Sequence, residues 1–583
     1  MTKADFDQPI IKSSVNASEF GFSKTNENNA EALQKAIDHC KAENIDRLVI
    51  NPGIYPITIT QSFKIHNMEN FEIFAKDVRF VMFSPIKIDE TILYFEVKNS
   101  SCIKFTGLEI DWDMKKARLS SLLKVVTRAD DYVDFEFMEE GEISDDSVFI
   151  STNTYNDETF TAGVEGGREF QINGRCADTF IKREKIGEKL YRCYADIKSL
   201  SDLFFKVDSY HLVRHYMYHG GVFSVQDTNH FTLDDVTIYA VPGFGVHCGG
   251  HSHHLLFYKF RIVLPEFEKR YMTATVDGIH IANSNGYILF EECDLGYQGD
   301  DCINIHDNVA MFIEKTSKNS FRFKKLRYFA CDEGDLFEFR NGDLSPTGFS
   351  ATIIKKEMTE NGFNLVLDKE IPDTIKEDSI IFNRSYCSDH YEIRNCYFHE
   401  TRARGILAQA NHGIIENCKF YRMQGAAIQI ETGASPTWCE GMGVDNLIIR
   451  NNEIIECDIN DWDKAVLYMS TFLPAGIPIK NSKFPNPTTT VGDSGADFRT
   501  EYPMFTNIVI ENNLFKEYPR RAMILTSYDN LTLRNNVFKN EISRKYNNPE
   551  RGSIWSAYGK NLHLDNNIFE PSPYMNMPEI IEE

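Results

Sequence analysis

A short phrase that recurs along the second half of the chain restricts the possible folds more than any other feature. The phrase alternates apolar and polar residues, places Asn or Cys at a bend, and then resumes with an apolar residue. Its copies begin at Tyr391 (YEIRNCYF), Gly413 (GIIENCKF), Leu447 (LIIRNNEI), Ile508 (IVIENNLF), Leu531 (LTLRNNVF) and Leu562 (LHLDNNIF). Two adjacent copies start 22 residues apart and another two start 23 residues apart. Alternation indicates β-strands, and a short fixed period without helical segments is typical of a stacked solenoid.

Three short strands and three turns use up one such period, at about 3.3 Å per strand residue. The sequence therefore predicts an all-β protein, a right-handed parallel β-helix. The bend position of the phrase forms a column that runs from coil to coil. This column holds Cys293, Cys396, Cys418, Asn452, Asn513, Asn536 and Asn567. Asn side chains stacked at a turn satisfy backbone groups and one another, so we expect a ladder there.

The remainder of the chain divides around this solenoid. Residues 1–114 predict an N-terminal cap and the first coils, with a capping helix from about Asn29, because an uncovered first coil would expose strand edges and core. Residues 115–214 and 308–383 leave the repeat and read as short strands with turns. Each of these two stretches is predicted to form a small inserted β-barrel.

The solenoid resumes twice after these insertions. Residues 215–307 predict β-helix coils, and residues 384–583 predict the C-terminal coils. Within the latter, residues 468–503 are rich in Pro, Gly, Ser and Thr, which predicts a long loop. Loops of that length are usually functional or disordered.

The charge of the chain argues against several classes of partner. The formal net charge is −24, from 62 basic and 86 acidic residues, and no dense Lys/Arg run occurs. Such a protein is repelled by nucleic acid, anionic lipid and polyanionic sugars, so a neutral saccharide fits best. The 13 cysteines are an odd number without metal-type spacing, which favours mostly free thiols and a reducing compartment.

No apolar run of about 18 residues occurs, so no membrane span is predicted. The chain begins MTKADFDQPI without an apolar segment, which predicts a cytoplasmic location as the sequence stands. A periplasmic or secreted location is expected instead if a signal peptide was removed.

Three aspartates carry the predicted chemistry. Asp277 precedes Asp300 by 23 residues and Asp301 by 24, which is one coil. Aligning the apolar residues of the two coils places Asp277 beside Asp301, with Asp300 one residue aside. Arg404 falls in the same column one coil beyond the second insertion. Because neighbouring rungs are about 4.8 Å apart, three carboxylates and a guanidinium are expected to share one small patch.

Carboxylates this close cannot all ionise easily, so at least one should keep its proton near neutral pH. A general acid beside carboxylate bases is what glycosidic cleavage requires. A turn ladder is the structural alternative, but an Asp pair facing a third Asp has no evident structural benefit. A calcium site is the competing functional interpretation; we predict instead an enzyme that needs no metal or other cofactor.

Polar and aromatic residues near the aspartates in sequence or register are candidates for binding substrate, because sugar sites combine fixed hydrogen-bonding groups with an aromatic face. These candidates are His280, Asn304, His306, Arg404, Gln409, Glu431, Trp438 and Glu440.

With these residues, the chain resembles glycoside hydrolase family 110. The resemblance rests on DGIH followed one coil later by GDDCINIHD, on RARGIL and TWCE downstream, and on two insertions in a β-helix. It implies an inverting exo-α-1,3-galactosidase that acts on blood-group-B-like or linear glycans. It also implies that Asp277, Asp300 and Asp301 are catalytic, with Asp300 as general acid and the other two activating water.

Two alternatives remain open. Polygalacturonases share the fold and an Asp trio, but their Asn-Thr-Asp signature is replaced here by Thr275-Val276-Asp277. A β-helical glycan-binding or adhesion protein without catalysis is the other alternative. The sequence leaves the oligomeric state open, although a homodimer is a reasonable expectation.

Overall fold

The computed structural model describes residues 1–85, 87, 90–174, 177–323, 329–359, 362–434, 439–460, 462, 465–473, 500–543, 553–572 and 580–582. The chain winds into a parallel β-helix whose strands stack in three ladders, here called face one, face two and face three. Two long strands, Glu69–Phe83 and Ser101–Trp112, run through faces one and two and join them into one sheet. The predicted fold class is therefore confirmed.

The remaining strands of face one are Ser14–Asn16, Arg47–Val49, Asn229–Asp234, His253–Tyr258, Ile288–Glu291, Tyr391–Arg394, Gly413–Glu416, Val444–Arg450, Phe505–Glu511, Tyr528–Arg534 and Lys560–Asp565. Those of face two are Gly53–Thr58, Thr237–Ile238, Arg261–Ile262, Asp294–Gly296, Tyr397–His399, Lys419–Tyr421, Glu453–Ile455, Leu514–Lys516, Val537–Lys539 and Ile568–Phe569. Face three contains Phe63–His66, Ile92–Lys98, Gly220–Gln226, Phe244–Gly249, Ile279–Ala282, Ile303–His306, Ile406–Gln409, Ile428–Ala434, Leu467–Phe472, Met523–Thr526, Ile554–Ala557 and Ile580–Glu582, and Cys439–Glu440 pairs antiparallel to the eighth of these.

The repeated phrase covers a strand of face one, a bend, and a strand of face two. Its inward residues are buried in one continuous core. The recurring Phe stacks from coil to coil: the rings of Phe515 and Phe538 lie 5.1 Å apart, and those of Phe538 and Phe569 lie 4.5 Å apart. Parallel stacking at this distance adds to the apolar burial of each ring. The repeat of the phrase along the sequence thus corresponds to the stacking of its Phe rings from coil to coil.

The bend column forms the predicted ladder. The side-chain amide of Asn452 donates to Asn513 Oδ1 at 3.0 Å, and that of Asn513 donates to Asn536 Oδ1 at 3.1 Å. The amide of Asn536 continues the ladder to Asn567 Oδ1 at 3.0 Å. Each Asn also donates to a backbone carbonyl, as Asn513 does to Ile449 O at 2.9 Å. Buried bends thus keep their polar groups paired.

The cysteines of the same column, Cys293, Cys396 and Cys418, are buried free thiols, as predicted. Their small side chains fill the space that Asn occupies in later coils. The Cys418 thiol lies 3.3 Å from the carbonyl oxygen of Glu416, and the Cys418 amide donates to Asn452 Oδ1 at 2.9 Å. The thiol and amide columns therefore form one continuous stack.

The capping helix α1 spans Ala30–Glu43, in agreement with the prediction. Its buried residues are Leu33, Ala36, Ile37 and Cys40, which repeat at the three- and four-residue spacing of one helical face. This face packs against the core of the first coils. Two short 3-10 helices, Lys3–Asp5 and Ala17–Phe20, precede it.

The second insertion is a closed barrel, as predicted, with its own apolar core. The barrel strands are Val309–Lys315, Ser320–Phe323, Leu336–Arg340, Pro346–Thr359, Gly362–Leu367 and Ile380–Asn383. The first and last strands pair with one another. The barrel therefore begins and ends at one point of the solenoid.

The first insertion differs from the barrel predicted for it. Its strands form one antiparallel sheet in which, within the described part of the chain, the edge strands Glu169–Phe170 and Lys182–Lys185 do not pair with each other. Glu169 of the former strand pairs instead with Arg402 of the solenoid, so this edge of the sheet lies against the β-helix and does not close a barrel. The remaining strands are Ser120–Arg128, Tyr132–Phe137, Ser151–Tyr155, Leu190–Tyr194 and Tyr210–Arg214, and they enclose a separate core. The domain boundaries stay a prediction.

The loop predicted from residue 468 begins later than expected. Leu467–Phe472 is a strand of face three, and Tyr468 is paired with Gln429 of the preceding coil. The rest of the predicted loop, residues 474–499, lies outside the described residues. In the part of the chain that is described, no helix is long and apolar enough to span a membrane.

Candidate active site

The three aspartates lie where strands of face three begin. Ile279 pairs with Ile303, and Ile303 pairs with Ile406 of the coil beyond the barrel. This is the register expected from the apolar pattern. It places Asp277, Asp301 and Arg404, each two residues before its strand, in one column.

Glycine is required immediately before Asp300. A Cβ atom on Gly299 would lie 2.2 Å from the carbonyl oxygen of Thr275, which no side chain tolerates. A Cβ atom on Gly278, directly after Asp277, would lie 2.7 Å from the carbonyl oxygen of Cys302. The two glycines therefore let adjacent coils approach closely at the point where the aspartates project.

The three carboxylates are in mutual contact range. One oxygen from each of Asp277, Asp300 and Asp301 lies within 4.8 Å of the other two. The side chain of Asp300 is 20% exposed, whereas those of Asp277 and Asp301 are 6% exposed each. The cluster therefore opens to solvent through Asp300, and the other two carboxylates form its floor.

Arg404 supports the floor from the next coil. Its backbone amide donates to Asp301 Oδ1 at 2.9 Å, and its guanidinium lies 3.4 Å from the same oxygen. Arg404 Nε also donates to Gln429 Oε1 at 2.9 Å, and Gln429 in turn donates to Glu431 at 2.5 Å. Glu431 is fully buried. Glu431 thus connects to Arg404 through Gln429, and its role in binding substrate stays a prediction.

A second chain of contacts starts at Asp277. Its carboxylate lies 2.6 Å from His280 Nδ1, and His280 Nε2 lies 3.0 Å from His306 Nε2. His306 Nε2 lies 3.7 Å from the Glu440 carboxylate. Gln409 donates to that carboxylate at 3.1 Å and to Asn304 at 3.2 Å. Five of the predicted binding residues therefore form one network.

The protonation states follow from burial and from these partners. Burial raises the pKa of Asp277 above its usual value, against the opposing effect of His280. Burial raises the pKa of Asp301 well above its usual value, and the neighbouring Asp300 charge adds to that effect while Arg404 opposes it. Two weakly solvated carboxyls that hold protons more tightly than usual are what clustered like charges produce.

The pKa values of His306 and His280 shift in opposite directions. Burial lowers the pKa of His306 to about 4, so this ring is neutral near pH 7. Burial also acts on His280, but its bond to Asp277 outweighs burial and raises the pKa of His280. Burial of Glu440 is outweighed by His306 and His280, which hold the pKa of this carboxyl below its usual value.

One predicted binding residue, Trp438, lies outside the described residues. A different tryptophan reaches the site: the Trp462 ring lies 5.0 Å from the Arg402 guanidinium carbon and 4.9 Å from that of Arg404. The sequence analysis missed Trp462 and Arg402. Arg402 lies two residues before Arg404 in the RARGIL segment, and this proximity could have indicated it. Trp462 lies between repeats, so no sequence pattern indicated it.

Two further residues that the sequence analysis missed come from outside the aspartate coils. Tyr218 OH donates to Asp300 Oδ2 at 3.3 Å, and Tyr218 has a left-handed backbone with φ of 58°. Glu169 of the first insertion pairs with Arg402, which itself lies 3.3 Å from Asp300 Oδ1. Neither residue belongs to a repeat, so periodicity could not reveal it.

Comparison with known sequences finds relatives that align along most of the chain. A profile for the family described as a right handed beta helix region matches residues 374–494. Alpha-1,3-galactosidase A of Shewanella woodyi is 23% identical over 93% of this chain and 88% of its own length. Alpha-1,3-galactosidase B of Bacteroides thetaiotaomicron is 23% identical over 95% of this chain and 91% of its own length. The prediction of a glycoside hydrolase is confirmed at this level.

Another relative matches less of the chain. Alpha-1,3-galactosidase A of Bacteroides fragilis is 23% identical over 54% of this chain, and the match spans 50% of that protein. Among solved structures, an exopolygalacturonase from Thermotoga maritima covers 97% of this chain with 11% identity and a TM-score of 0.44. PfbA, a surface adhesin of Streptococcus pneumoniae, covers 97% with 11% identity and a TM-score of 0.41.

Proposed function

We propose that the protein is an exo-acting α-1,3-galactosidase that removes terminal galactose from blood-group-B-like or linear glycans. The observation that carries the proposal is the aspartate trio, whose carboxylate oxygens lie within 4.8 Å of one another beside an opening to solvent. Galactose as the released sugar is taken from the names of the relatives that align over most of the chain. The binding partner is then a glycoconjugate with a terminal α-galactose.

We assign Asp300 as the general acid, because it is the most exposed of the three carboxyls and can reach a leaving oxygen. Asp277 and Asp301 form the pair that activates water. A base is most effective when its pKa lies near the working pH, and burial raises the pKa of both Asp277 and Asp301 in that direction. His280 holds Asp277 in place through the bond at 2.6 Å.

Trp462 supports the role of a sugar-binding site. An aromatic ring offers a flat apolar face to the C–H side of a galactose ring, while polar groups take its hydroxyls. The two guanidiniums beside Trp462 restrict where its ring can lie. Among the predicted binding residues, His280 and Glu440 remain partly exposed, with side chains 17% and 14% accessible.

A polygalacturonase-like reaction is less compatible with the charges of the site. An acidic sugar needs a cation that is available to its carboxylate. Arg402 already pairs with Glu169 and Asp300, and Arg404 already pairs with Asp301. The net charge of −24 adds a general repulsion. A neutral galactoside needs no available cation and is not repelled by the net charge.

The stereochemical part of the proposal is inversion, which rests on the family resemblance. Inverting glycosidases usually hold their carboxyls about 6.5–9.5 Å apart and retaining ones about 5–5.5 Å apart. Spacing within the trio alone therefore favours retention. Proton NMR of the first-formed sugar separates the two: β-galactose supports inversion, and α-galactose contradicts it.

The catalytic assignment is tested with Asp300→Asn and Asp301→Asn. Each variant should lose turnover of nitrophenyl α-galactoside and α-1,3-digalactose by at least about 1,000-fold, with unchanged circular dichroism. Asp130→Asn, an exposed change in the first insertion, is the control and should match the wild type. Near-normal activity of either site variant contradicts the mechanism.

Two further arms of this experiment separate the alternatives. If EDTA abolishes activity and calcium restores it, the trio is a cation site rather than an acid–base pair. If the wild-type protein binds α-galactosides but releases no galactose, the protein is a glycan-binding β-helix. Under the proposed function, EDTA has no effect and galactose is released.

A further inference from the structure

Glu169 is the point where the first insertion contacts the aspartate site. It belongs to the edge strand Glu169–Phe170, in which Glu169 pairs with Asn153 of the next strand. Neighbouring residues of a strand point to opposite faces, so Phe170 enters the core of the insertion while Glu169 faces the solenoid. The insertion thereby contributes one carboxylate to the β-helix.

This carboxylate is held between two guanidiniums. Arg214 Nη2 lies 2.5 Å from Glu169 Oε1, and Arg402 Nη2 donates to Glu169 Oε2. Arg214 is itself immobilised, because it donates to Ser151 Oγ at 2.8 Å and to Gly299 O at 3.0 Å. Each carboxylate oxygen thus has its own charged partner, and such charge-assisted hydrogen bonds are about twice as strong as neutral ones.

Arg402 continues the contact to the reacting group. Its Nη1 lies 3.3 Å from Asp300 Oδ1 and also 3.3 Å from Gly299 O. One guanidinium is therefore shared between Glu169 and Asp300, with one nitrogen directed to each. Burial alone would lower the pKa of Arg402, but Glu169 and Asp300 together outweigh burial and raise it.

We propose that Glu169 is a positioning residue for Asp300, acting through Arg402. This inference rests on the proposed function, in which Asp300 is the general acid. By occupying one side of Arg402, Glu169 fixes where the guanidinium lies. It also shares the positive charge of Arg402 between two carboxylates, so that Asp300 is not the only counter-ion of this guanidinium.

The charges that face Asp300 come from several elements. The cations are Arg402 and, further away, Arg214, and the anions are Asp277, Asp301 and Glu169. Tyr218 adds a hydroxyl donor at 3.3 Å. Removing the Glu169 charge leaves two guanidiniums with Asp300 as their nearest anion. The ionised form of Asp300 is then favoured, and an ionised carboxyl cannot act as an acid.

The first test is Glu169→Gln, which keeps the shape and removes the charge. We expect kcat for an α-galactoside to fall about 10- to 100-fold with KM changed less than about twofold, because both carboxylate oxygens of Glu169 are already paired with arginines rather than offered to a substrate. The alkaline limb of the pH–activity profile should move to lower pH by about one unit. Glu158→Gln, an exposed change in the same insertion, should alter neither.

A double-mutant cycle with Arg402→Lys tests whether Glu169 acts on Asp300 through Arg402. Lys keeps the charge but cannot reach both carboxylates. If Glu169 acts through Arg402, the loss of kcat in the double variant is clearly smaller than the product of the two single losses. Multiplicative losses, or a Glu169→Gln variant with wild-type kcat and pH profile, overturn the inference.

A third measurement does not depend on activity. In a crystal structure of Glu169→Gln, the Arg402 guanidinium should leave its shared position and pair with Asp300 through both nitrogens. An unchanged Arg402 overturns the inference even if the enzyme proves inactive on galactosides. An active Asp300→Asn variant, in contrast, contradicts the proposed function. The position of Arg402 in Glu169→Gln can still be measured in that case, so failure of the proposed function and failure of this inference are distinguishable.

Discussion

At the residue scale, the site gathers like charges in a place that water barely reaches. The side chains of Asp277 and Asp301 are 6% exposed each, burial raises the pKa of both, and the neighbouring Asp300 charge adds to the effect of burial on both. Neighbouring guanidiniums offset part of this repulsion, as Arg404 does for Asp301. The arrangement favours chemistry over stability, which is common where the pKa values of catalytic carboxyls are shifted for function.

Asp301→Asn should therefore stabilise the folded protein while it abolishes activity. A carboxyl whose pKa is raised on folding contributes stability at low pH and loses that contribution as pH rises through its folded value. The neutral amide has no such loss and can still accept the Arg404 bonds. We expect a gain of about 1 kcal/mol at pH 8 and a smaller gain at pH 5.

Thermal unfolding of Asp301→Asn and the wild type at both pH values measures this difference. Asp130→Asn serves as the control, because it changes an exposed carboxyl. If the variant is less stable than the wild type at pH 8, or equally stabilised at both pH values, the ionised Asp301 does not destabilise the folded protein and the explanation is wrong.

At the element scale, the solenoid depends on the polar column as much as on its apolar core. Asn513 is 1% exposed, and its side chain makes four hydrogen bonds. Buried amides keep neighbouring coils at a fixed spacing, because each bond requires the next coil in register. The same spacing brings Asp277 beside Asp301.

Asn513→Ala should destabilise the C-terminal coils by about 2–4 kcal/mol, because it leaves buried donors and acceptors of Asn452 and Asn536 unpaired. Asn513→Cys is the matched comparison, since Cys occupies the same position at Cys396 and Cys418. Its loss should be smaller because the thiol fills more of the space. Limited proteolysis and thermal unfolding measure both variants, and equal stability of Asn513→Ala and the wild type would contradict a structural ladder.

At the scale of the whole molecule, the two insertions are attached to the β-helix in different ways. The barrel has its own core and begins and ends on paired strands, with Met311 opposite Ile380. The coils on either side of it pair directly, Ile303 with Ile406. The first insertion instead sends Glu169 into the aspartate site. The barrel thus makes no described contact with the aspartate trio, whereas the first insertion is part of the site.

Deletion of residues 312–379, with a two-residue Asn-Gly turn joining Met311 to Ile380, should leave the solenoid folded. Such a turn closes an antiparallel pair, and the strand pairing across the insertion persists. We expect hydrolysis of a small nitrophenyl α-galactoside to stay within about tenfold of the wild type, since none of the described contacts of the aspartate trio comes from the barrel.

The matched comparison is removal of residues 120–214, which should abolish activity because it removes Glu169 and Arg214. Circular dichroism and thermal unfolding establish whether each variant folds. If the variant without the barrel folds but does not hydrolyse the small substrate, the different roles assigned to the two insertions are contradicted.

The sequence by itself determined the parts of this protein that follow a period. Alternating apolar residues, the Asn and Cys column and the spacing of 23 and 24 residues predicted the β-helix, its register and the meeting of Asp277 with Asp301. In a solenoid, residues one period apart are neighbours in space, so sequence distance translates directly into contact.

Only the tertiary structure decided how the non-repeating segments lie against the coils. Glu169, Tyr218 and Trp462 reach the site from segments without a period, and no spacing relates them to Asp300. The open sheet of the first insertion was mispredicted for the same reason, since a strand pattern does not specify whether the sheet closes. Docking of such segments depends on shape and charge complementarity between surfaces, which a linear pattern of residues does not contain.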